Sequence, residues 1–146
     1  MTQSHSLPAG FTKALIASGL WIMVLECIRA FLIVLPMTKA AFPDFAGIAP
    51  MNVPIFISWT VWMMLLIWLT AYSYWLHARV SGHTTRSVIV AGSFATAFSL
   101  LLFWIANVNM GTGTVAVALI AVPWAWVELV VACQITRMIL QREMAR

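Results

Sequence analysis

The sequence predicts an all-α integral membrane protein, folded as a bundle of four transmembrane helices. Two observations support this fold class: 63% of the 146 residues are hydrophobic, and only 8% are charged. A soluble domain carries about 45–50% apolar and about 25% charged residues. The same composition excludes intrinsic disorder, a disulfide scaffold, a coiled coil and a collagen-like fibre.

Four segments of the chain are long and apolar enough to span a bilayer, which takes about 20 residues per helix. In chain order they are residues 14–37, 53–76, 88–110 and 115–136. Proline- or glycine-containing stretches separate them, as expected where helices end. None of the four alternates polar and apolar residues, as the strands of a membrane barrel would. The segments therefore predict one transmembrane domain over residues 1–146.

The connections predict how these helices are arranged. They are short, which favours antiparallel neighbours in a helix bundle. The longest, residues 38–52, contains apolar side chains between prolines. We expect it to lie in the outer membrane interface as a connector, with a lid over an outward-opening site as the alternative.

Lysine and arginine residues predict the orientation in the membrane. Arg29 lies inside the first helix, so only the other seven of the eight basic residues indicate the orientation. Lys39 lies on one side, and the others lie on the opposite side: Lys13, Arg79, Arg86, Arg137, Arg142 and Arg146. The positive-inside rule places both termini in the cytoplasm, and we expect a bacterial inner (plasma) membrane. The net charge of +4 then reflects topology and contact with anionic lipid, not nucleic acid.

Three ionisable residues are predicted to share the hydrocarbon middle of the membrane. At about 1.5 Å per residue, Glu26 lies at the midplane and Arg29 about 5 Å further outward. Glu128 of the fourth helix lies about 4 Å to the cytoplasmic side. Each charge costs roughly 2.5–3.5 kcal/mol there. The first helix should therefore need partners for its polar face.

The spacing of these residues predicts which faces pack together. Glu26 and Arg29 are three residues apart, so they share a helix face and can form an ion pair. Glu128 lies on a stripe of small residues, which lets helices approach closely. The stripe consists of Ala118, Ala121, Ala125 and Ala132. We expect the first and fourth helices to meet at the level of Glu26 and Glu128.

Five further residues are candidates for the lining of a cavity. Pro123 frees a main-chain carbonyl group, and open backbone at this depth is tolerated only inside protein or against a water-filled cavity. Ser99 and Asn107 lie on one polar face of the third helix. Trp104 and Trp124 could form an aromatic wall. Helix packing and core filling are the more common uses of such residues.

No metal or cofactor is predicted. The three histidines, His5, His77 and His83, lie at the cytoplasmic side, too shallow to ligate haem within the bundle. They also lack neighbouring ligands that would complete a metal site. Phosphate-loop, HExxH and GxSxG motifs are not found.

Three functions remain open. The first is a proton- or cation-coupled transporter or carrier component that uses the cluster of Glu26, Arg29 and Glu128. The second is a membrane enzyme acting on a lipid-soluble substrate, with one glutamate as general acid or base. The third is an accessory or structural subunit of a membrane complex, in which the charges only lock helices. Because four short helices can hide few polar groups, we expect a homo-oligomer or a partner membrane subunit in the lipid bilayer.

Overall fold

Helices account for all the regular structure that the chain adopts in its described part. The computed structural model describes residues 7–43 and 52–146. Four of its helices are long and apolar enough to cross a membrane. They are α1 (Phe11–Ala41), α2 (Val53–Ser81), α3 (Thr85–Asn109) and α4 (Val115–Met144). The predicted all-α class is therefore confirmed, as is the presence of four helices long and apolar enough to span a membrane. Residues 44–51, most of the connection considered as a lid, lie outside the described residues.

The helices extend beyond the apolar segments that identified them. α2 continues past residue 76 to Ser81, and α4 continues past residue 136 to Met144. Apolar periodicity marks only the part of a helix that suits hydrocarbon. The more polar turns beyond it continue the same backbone hydrogen bonding.

Side-chain caps define where three of the helices begin. The side chains of Asn52, Thr84 and Thr114 accept hydrogen bonds from main-chain N–H groups of the first turns of α2, α3 and α4. Such caps satisfy donors that have no partner within the helix. Between α2 and α3, Gly82 has a φ of 75°, a left-handed conformation that glycine adopts without steric cost.

Two π-helical turns interrupt the regular helices. Residues Ala30–Val34 form one in α1, between the α-helical parts Phe11–Arg29 and Leu35–Ala41. Residues Ala97–Leu101 form the other in α3. The wider turn changes the direction in which the following side chains point, and such turns are frequent at functional sites. Nothing in the hydropathy pattern of the sequence distinguishes a π turn from an α turn.

One part of the packed core lies where the start of α1 meets the end of α4. Phe11, Tyr74, Trp75 and Leu140 are buried there in one cluster. α4 has the most extensive contacts, with α1 and with α3, followed by α2 with α3. Many large apolar side chains on the outside are exposed. Such a surface suits lipid as the surrounding solvent.

Candidate functional site

Glu26 and Arg29 form a buried ion pair on α1. Nη2 of the Arg29 guanidinium donates to Oε1 of Glu26. Glu26 is 1% exposed and Arg29 is 4% exposed. The spacing of three residues places both on one helix face. The π turn Ala30–Val34 begins directly after Arg29, so the pair lies at the junction of the two helix geometries.

Glu128 lies beside this pair but outside it. The residue is fully buried in α4 and interacts electrostatically with both Glu26 and Arg29. Neither oxygen of its carboxyl group has a hydrogen-bond partner within residues 7–43 and 52–146. Most buried polar groups in proteins have at least one partner. The Glu128 carboxyl is therefore unusual for a side chain that only fills the core.

The small-residue stripe on α4 surrounds Glu128. Ala121, Ala125 and Ala132 are fully buried, and Ala118 is partly buried. On the other side of the contact, Trp21 of α1 donates a hydrogen bond from Nε1 to the main-chain carbonyl oxygen of Glu128, at 3.1 Å. Small residues and this bond hold α1 close to α4, so Glu128 faces protein and not lipid.

A cavity of about 370 Å³ extends from the ion pair toward the ends of the helices. Glu26 and Arg29 line its inner end, and Thr38 and Thr112 line its opposite end. Glu26 and Thr38 are separated by about 18 Å along an α-helix axis. The cavity therefore occupies the half of the molecule that contains the α1–α2 and α3–α4 connections.

Aromatic and aliphatic side chains form most of the cavity wall. α2 contributes Trp59 and Trp62, whose ring centroids are 5.9 Å apart. α3 contributes Phe103 and Trp104, which meet edge to face at 5.7 Å. Both π turns also line the cavity, through Ala30, Val34 and Leu100. The wall thus combines an apolar surface with charge at one end only.

The structure places two of the five candidate lining residues in this cavity. Trp104 and Asn107 line it. Ser99 is not among its lining residues; it lies within the π turn of α3, and its hydroxyl donates to the carbonyl oxygen of Ala95 at 2.5 Å.

Pro123 and Trp124 also lie outside the wall of this cavity. Pro123 is exposed and lines two shallower grooves against α3, of about 340 and 510 Å³. The free backbone acceptor created by the proline is therefore near a groove on the α3–α4 surface. Trp124 is partly buried, and its Nε1 has no hydrogen-bond partner among the described residues.

Trp59 and Trp62 are functional candidates that sequence reasoning missed. Tryptophan near a helix end is typical of the membrane interface. That common role accounts for both residues, so their positions in the sequence did not indicate a cavity. Their spacing of three residues, which puts both rings on one face of α2, was the available signal.

The histidines form no metal site in the described structure. No group of three or more histidine, cysteine, aspartate or glutamate side chains is placed to hold a metal among residues 7–43 and 52–146. His83 pairs instead with the Tyr74 hydroxyl, at 2.8 Å from Nδ1. Partial burial, assisted by the positive charge of Arg137, lowers the pKa of His83 below its ordinary value. His5 lies outside the described residues.

Comparison with known proteins assigns no family to the chain. No family model matches it, and neither a curated protein nor a solved structure matches it. The function must therefore be inferred from the site itself. Its defining features are a buried ion pair at the inner end of an apolar cavity and a buried carboxyl group beside that pair.

Proposed function

We propose that this protein is a small proton- or cation-coupled carrier, or the carrier component of a larger assembly, in a bacterial inner membrane. The observation that supports this proposal best is the position of the Glu26–Arg29 pair at the inner end of the cavity, with Glu128 beside it. Ionisable residues within a membrane commonly mark substrate or proton pathways. A pair that only locked helices together would not need to border a cavity.

The proposed topology is an antiparallel bundle with both termini in the cytoplasm. Two contacts between α1 and α4 support the antiparallel arrangement: Lys13 Nζ lies 2.8 Å from Glu143 Oε1, and Trp21 contacts Glu128. Residue numbers increase along α1 while they decrease along α4. With the basic residues on the cytoplasmic side, the cavity opens outward.

In the proposed mechanism Glu128 carries the coupled proton. A charged carboxylate buried without a partner is far more costly than a neutral carboxyl group. Glu128 is fully buried and both its oxygens lack partners in the described chain. We therefore assign it the protonated state in this conformation. Glu26 stays charged, because the Arg29 guanidinium compensates it directly.

The two π turns are the proposed hinges for access from the other side. Ala30–Val34 and Ala97–Leu101 both contribute to the cavity wall, and both depart from regular helical hydrogen bonding. Helices bend most readily at such points. Access from the cytoplasm requires the packed region around Phe11, Tyr74 and Leu140 to separate.

A second candidate is a membrane enzyme with a lipid-soluble substrate. The observation that favours it is that the cavity ends at Glu26 and Arg29, while the other half of the molecule is packed. Glu26 would then act as the general acid or base. An accessory subunit, in which the pair is purely structural, is the third candidate.

Transport by reconstituted vesicles tests the carrier proposal. Two permanently charged probes, octanesulfonate and octyltrimethylammonium, are added to vesicles that contain the protein, a pH gradient and a trapped pH dye. We expect one probe to enter with a change in internal pH, and we expect Glu128→Gln to abolish the pH change. Glu143→Gln, which alters an ion-paired glutamate at the far end of the same helix, is the matched control.

The outcomes test the carrier proposal and distinguish it from the enzyme. If neither probe moves protons through folded wild-type protein, the carrier proposal is wrong. If Glu128→Gln and Glu143→Gln both retain full coupling, Glu128 is not the proton site. Binding of a probe without flux would favour the enzyme.

A further inference from the structure

Two buried side chains that line the cavity carry N–H donors without acceptors. The ion pair with Glu26 uses Nη2 of Arg29, and Nε of the same guanidinium has no partner in the described chain. Nε1 of Trp104 is also without a partner, and both side chains line the cavity. Arg29 is 4% exposed and Trp104 is 5% exposed. A buried donor without an acceptor is costly, so a ligand that supplies oxygen atoms gains affinity here.

The remainder of the cavity selects for an apolar ligand body. Trp59, Trp62 and Phe103 form its wall, and charged side chains occur only at the Glu26–Arg29 end among the described lining residues. The length of about 18 Å from Glu26 to Thr38 leaves room for a tail beyond a small head group. The cavity thus suits an elongated molecule with one polar end.

We infer that the cavity binds an amphipathic monocarboxylate together with one proton. This inference rests on the proposed carrier function and specifies its substrate class. The carboxylate head binds the Arg29 guanidinium, which presents the fork of donors that carboxylates prefer. The tail lies along Trp59, Trp62 and Phe103.

Charge balance gives the proton stoichiometry. With Glu128 neutral, the site carries no net charge, because Glu26 and Arg29 compensate each other. A bound carboxylate adds one negative charge, which is costly in a medium of low polarity. The ligand carboxylate therefore replaces Glu26 on Arg29. Glu26 takes the proton of Glu128, and Glu128 regains one proton from a buffer acid in solution, so that both glutamates end as neutral carboxyl groups. The buffer acid loses the one proton that the site gains, and no bond to carbon changes.

The same balance disfavours other head groups. A phosphate monoester carries about −1.5 to −2 charges at neutral pH, so one proton and one guanidinium would not compensate it. A quaternary ammonium group is repelled by Arg29 and offers no acceptor to the free N–H groups. A neutral alcohol can accept a hydrogen bond but forms no ion pair.

Binding measurements in nanodiscs of zwitterionic lipid test the inference. Octanoate, octyltrimethylammonium and octanol share one tail and differ in head group. Calorimetry in two buffers of different ionisation enthalpy counts the protons exchanged on binding. We expect octanoate to bind most tightly, with uptake of one proton, and its Kd to rise about tenfold per pH unit above neutrality.

Tryptophan variants separate ligand contact from folding. Trp104→Phe removes one free N–H from the cavity and should weaken octanoate binding by about five- to tenfold, with little effect on octanol. Trp124→Phe is the matched control, because its Nε1 is also without a partner in the described chain but its side chain lies outside the cavity wall. It should leave octanoate binding unchanged.

The results distinguish this inference from the proposed function. Octanoate binding without proton uptake, or equal effects of the two tryptophan variants, would overturn the carboxylate assignment. If octyltrimethylammonium binds most tightly and is transported, the carrier function stands and the substrate class is wrong. If none of the three compounds binds to folded protein, both proposals fail.

Discussion

The indole Nε1 of Trp21 donates a hydrogen bond to the main-chain carbonyl oxygen of Glu128, at 3.1 Å. This contact fixes α1 against α4 at the level where the ionisable residues meet. It acts on the backbone of Glu128, while the carboxyl group of that residue has no hydrogen-bond partner among the described residues. The position of the carboxyl group is therefore set by helix packing and not by its own polar contacts.

Removal of this hydrogen bond should destabilise the protein and disturb the site. Trp21→Phe keeps an aromatic ring but loses the donor, and we expect a loss of about 1 kcal/mol in the free energy of unfolding. Denaturation in mixed micelles measures it. Trp126→Phe is the matched control, because Trp126 Nε1 bonds Ser93 Oγ at 2.9 Å, away from the ion pair. The two variants should lose similar stability, but only Trp21→Phe should alter proton coupling. Equal coupling in both would show that the Trp21 contact is merely structural.

The two buried glutamates should respond differently to neutralisation. Glu26→Gln leaves the Arg29 charge buried without compensation, so we expect a loss of about 3–5 kcal/mol in the free energy of unfolding. Glu128→Gln is nearly isosteric and breaks no side-chain hydrogen bond that the structure contains, so its loss should stay below about 1 kcal/mol. The same micelle denaturation compares them. A large loss for Glu128→Gln would mean that its negative charge stabilises the fold.

A double variant separates the structural role of the pair from its functional role. Glu26→Leu combined with Arg29→Met replaces the ion pair by apolar side chains, a change that is often neutral or stabilising. The double variant should therefore regain the stability that Glu26→Gln loses. It should not transport the probes into vesicles, because the proposed site is gone. Full transport by the double variant would show that the ion pair is structural and that transport does not use it.

The ion-pair geometry illustrates what could be predicted from sequence. The spacing of Glu26 and Arg29 in an α-helix placed them on one face, and the alanine stripe placed Glu128 on the packed side of α4. Both predictions depend only on local helical periodicity, which α1 retains up to Arg29. The membrane spans followed from length and apolar composition for the same reason.

The cavity could not be predicted as completely, because it depends on departures from regular geometry. Ser99 lies within the π turn at Ala97–Leu101, and no sequence signal marked that turn. Trp59 and Trp62 could serve equally in an interfacial belt until the neighbouring helices were placed around them. The relation between Glu128 and the Glu26–Arg29 pair likewise requires the tertiary packing of two helices far apart in sequence.

Gly92 should be the glycine least tolerant of a larger side chain in the α3–α4 contact. A Cβ atom at this position would lie 2.7 Å from Val130 Cγ2 and 2.8 Å from its Cα. Because backbone cannot move aside cheaply, we expect Gly92→Ala to cost about 1–3 kcal/mol through overpacking. Gly19→Ala is the control, since its Cβ atom would meet only the Ile67 side chain, at 3.0 Å. Thermal unfolding should rank Gly92→Ala as clearly less stable, and the reverse order would contradict the close approach of α3 and α4.

The stability of the fold should depend on pH through His83. Burial and, to a lesser extent, the positive charge of Arg137 lower its pKa in the folded protein. The unfolded chain, with the ordinary value of 6.5, therefore binds the proton more readily than the folded chain does. Stability is then fully present above about pH 6.5 and decreases as the pH falls through that value toward the lower pKa of the folded state.

His83 has three neighbouring groups that bear on the test of this prediction. The Tyr74 hydroxyl lies 2.8 Å from Nδ1, Gln141 donates to the His83 carbonyl oxygen, and Arg137 supplies the nearby positive charge. His83→Asn should flatten the decrease in unfolding midpoint between about pH 7 and pH 5, because a neutral side chain cannot take up the extra proton. His77→Asn is the control and should retain the wild-type decrease. If His83→Asn and the wild type lose stability in parallel over this range, protonation of His83 is not coupled to unfolding, and the contact between Tyr74 and His83 does not depend on the neutral ring.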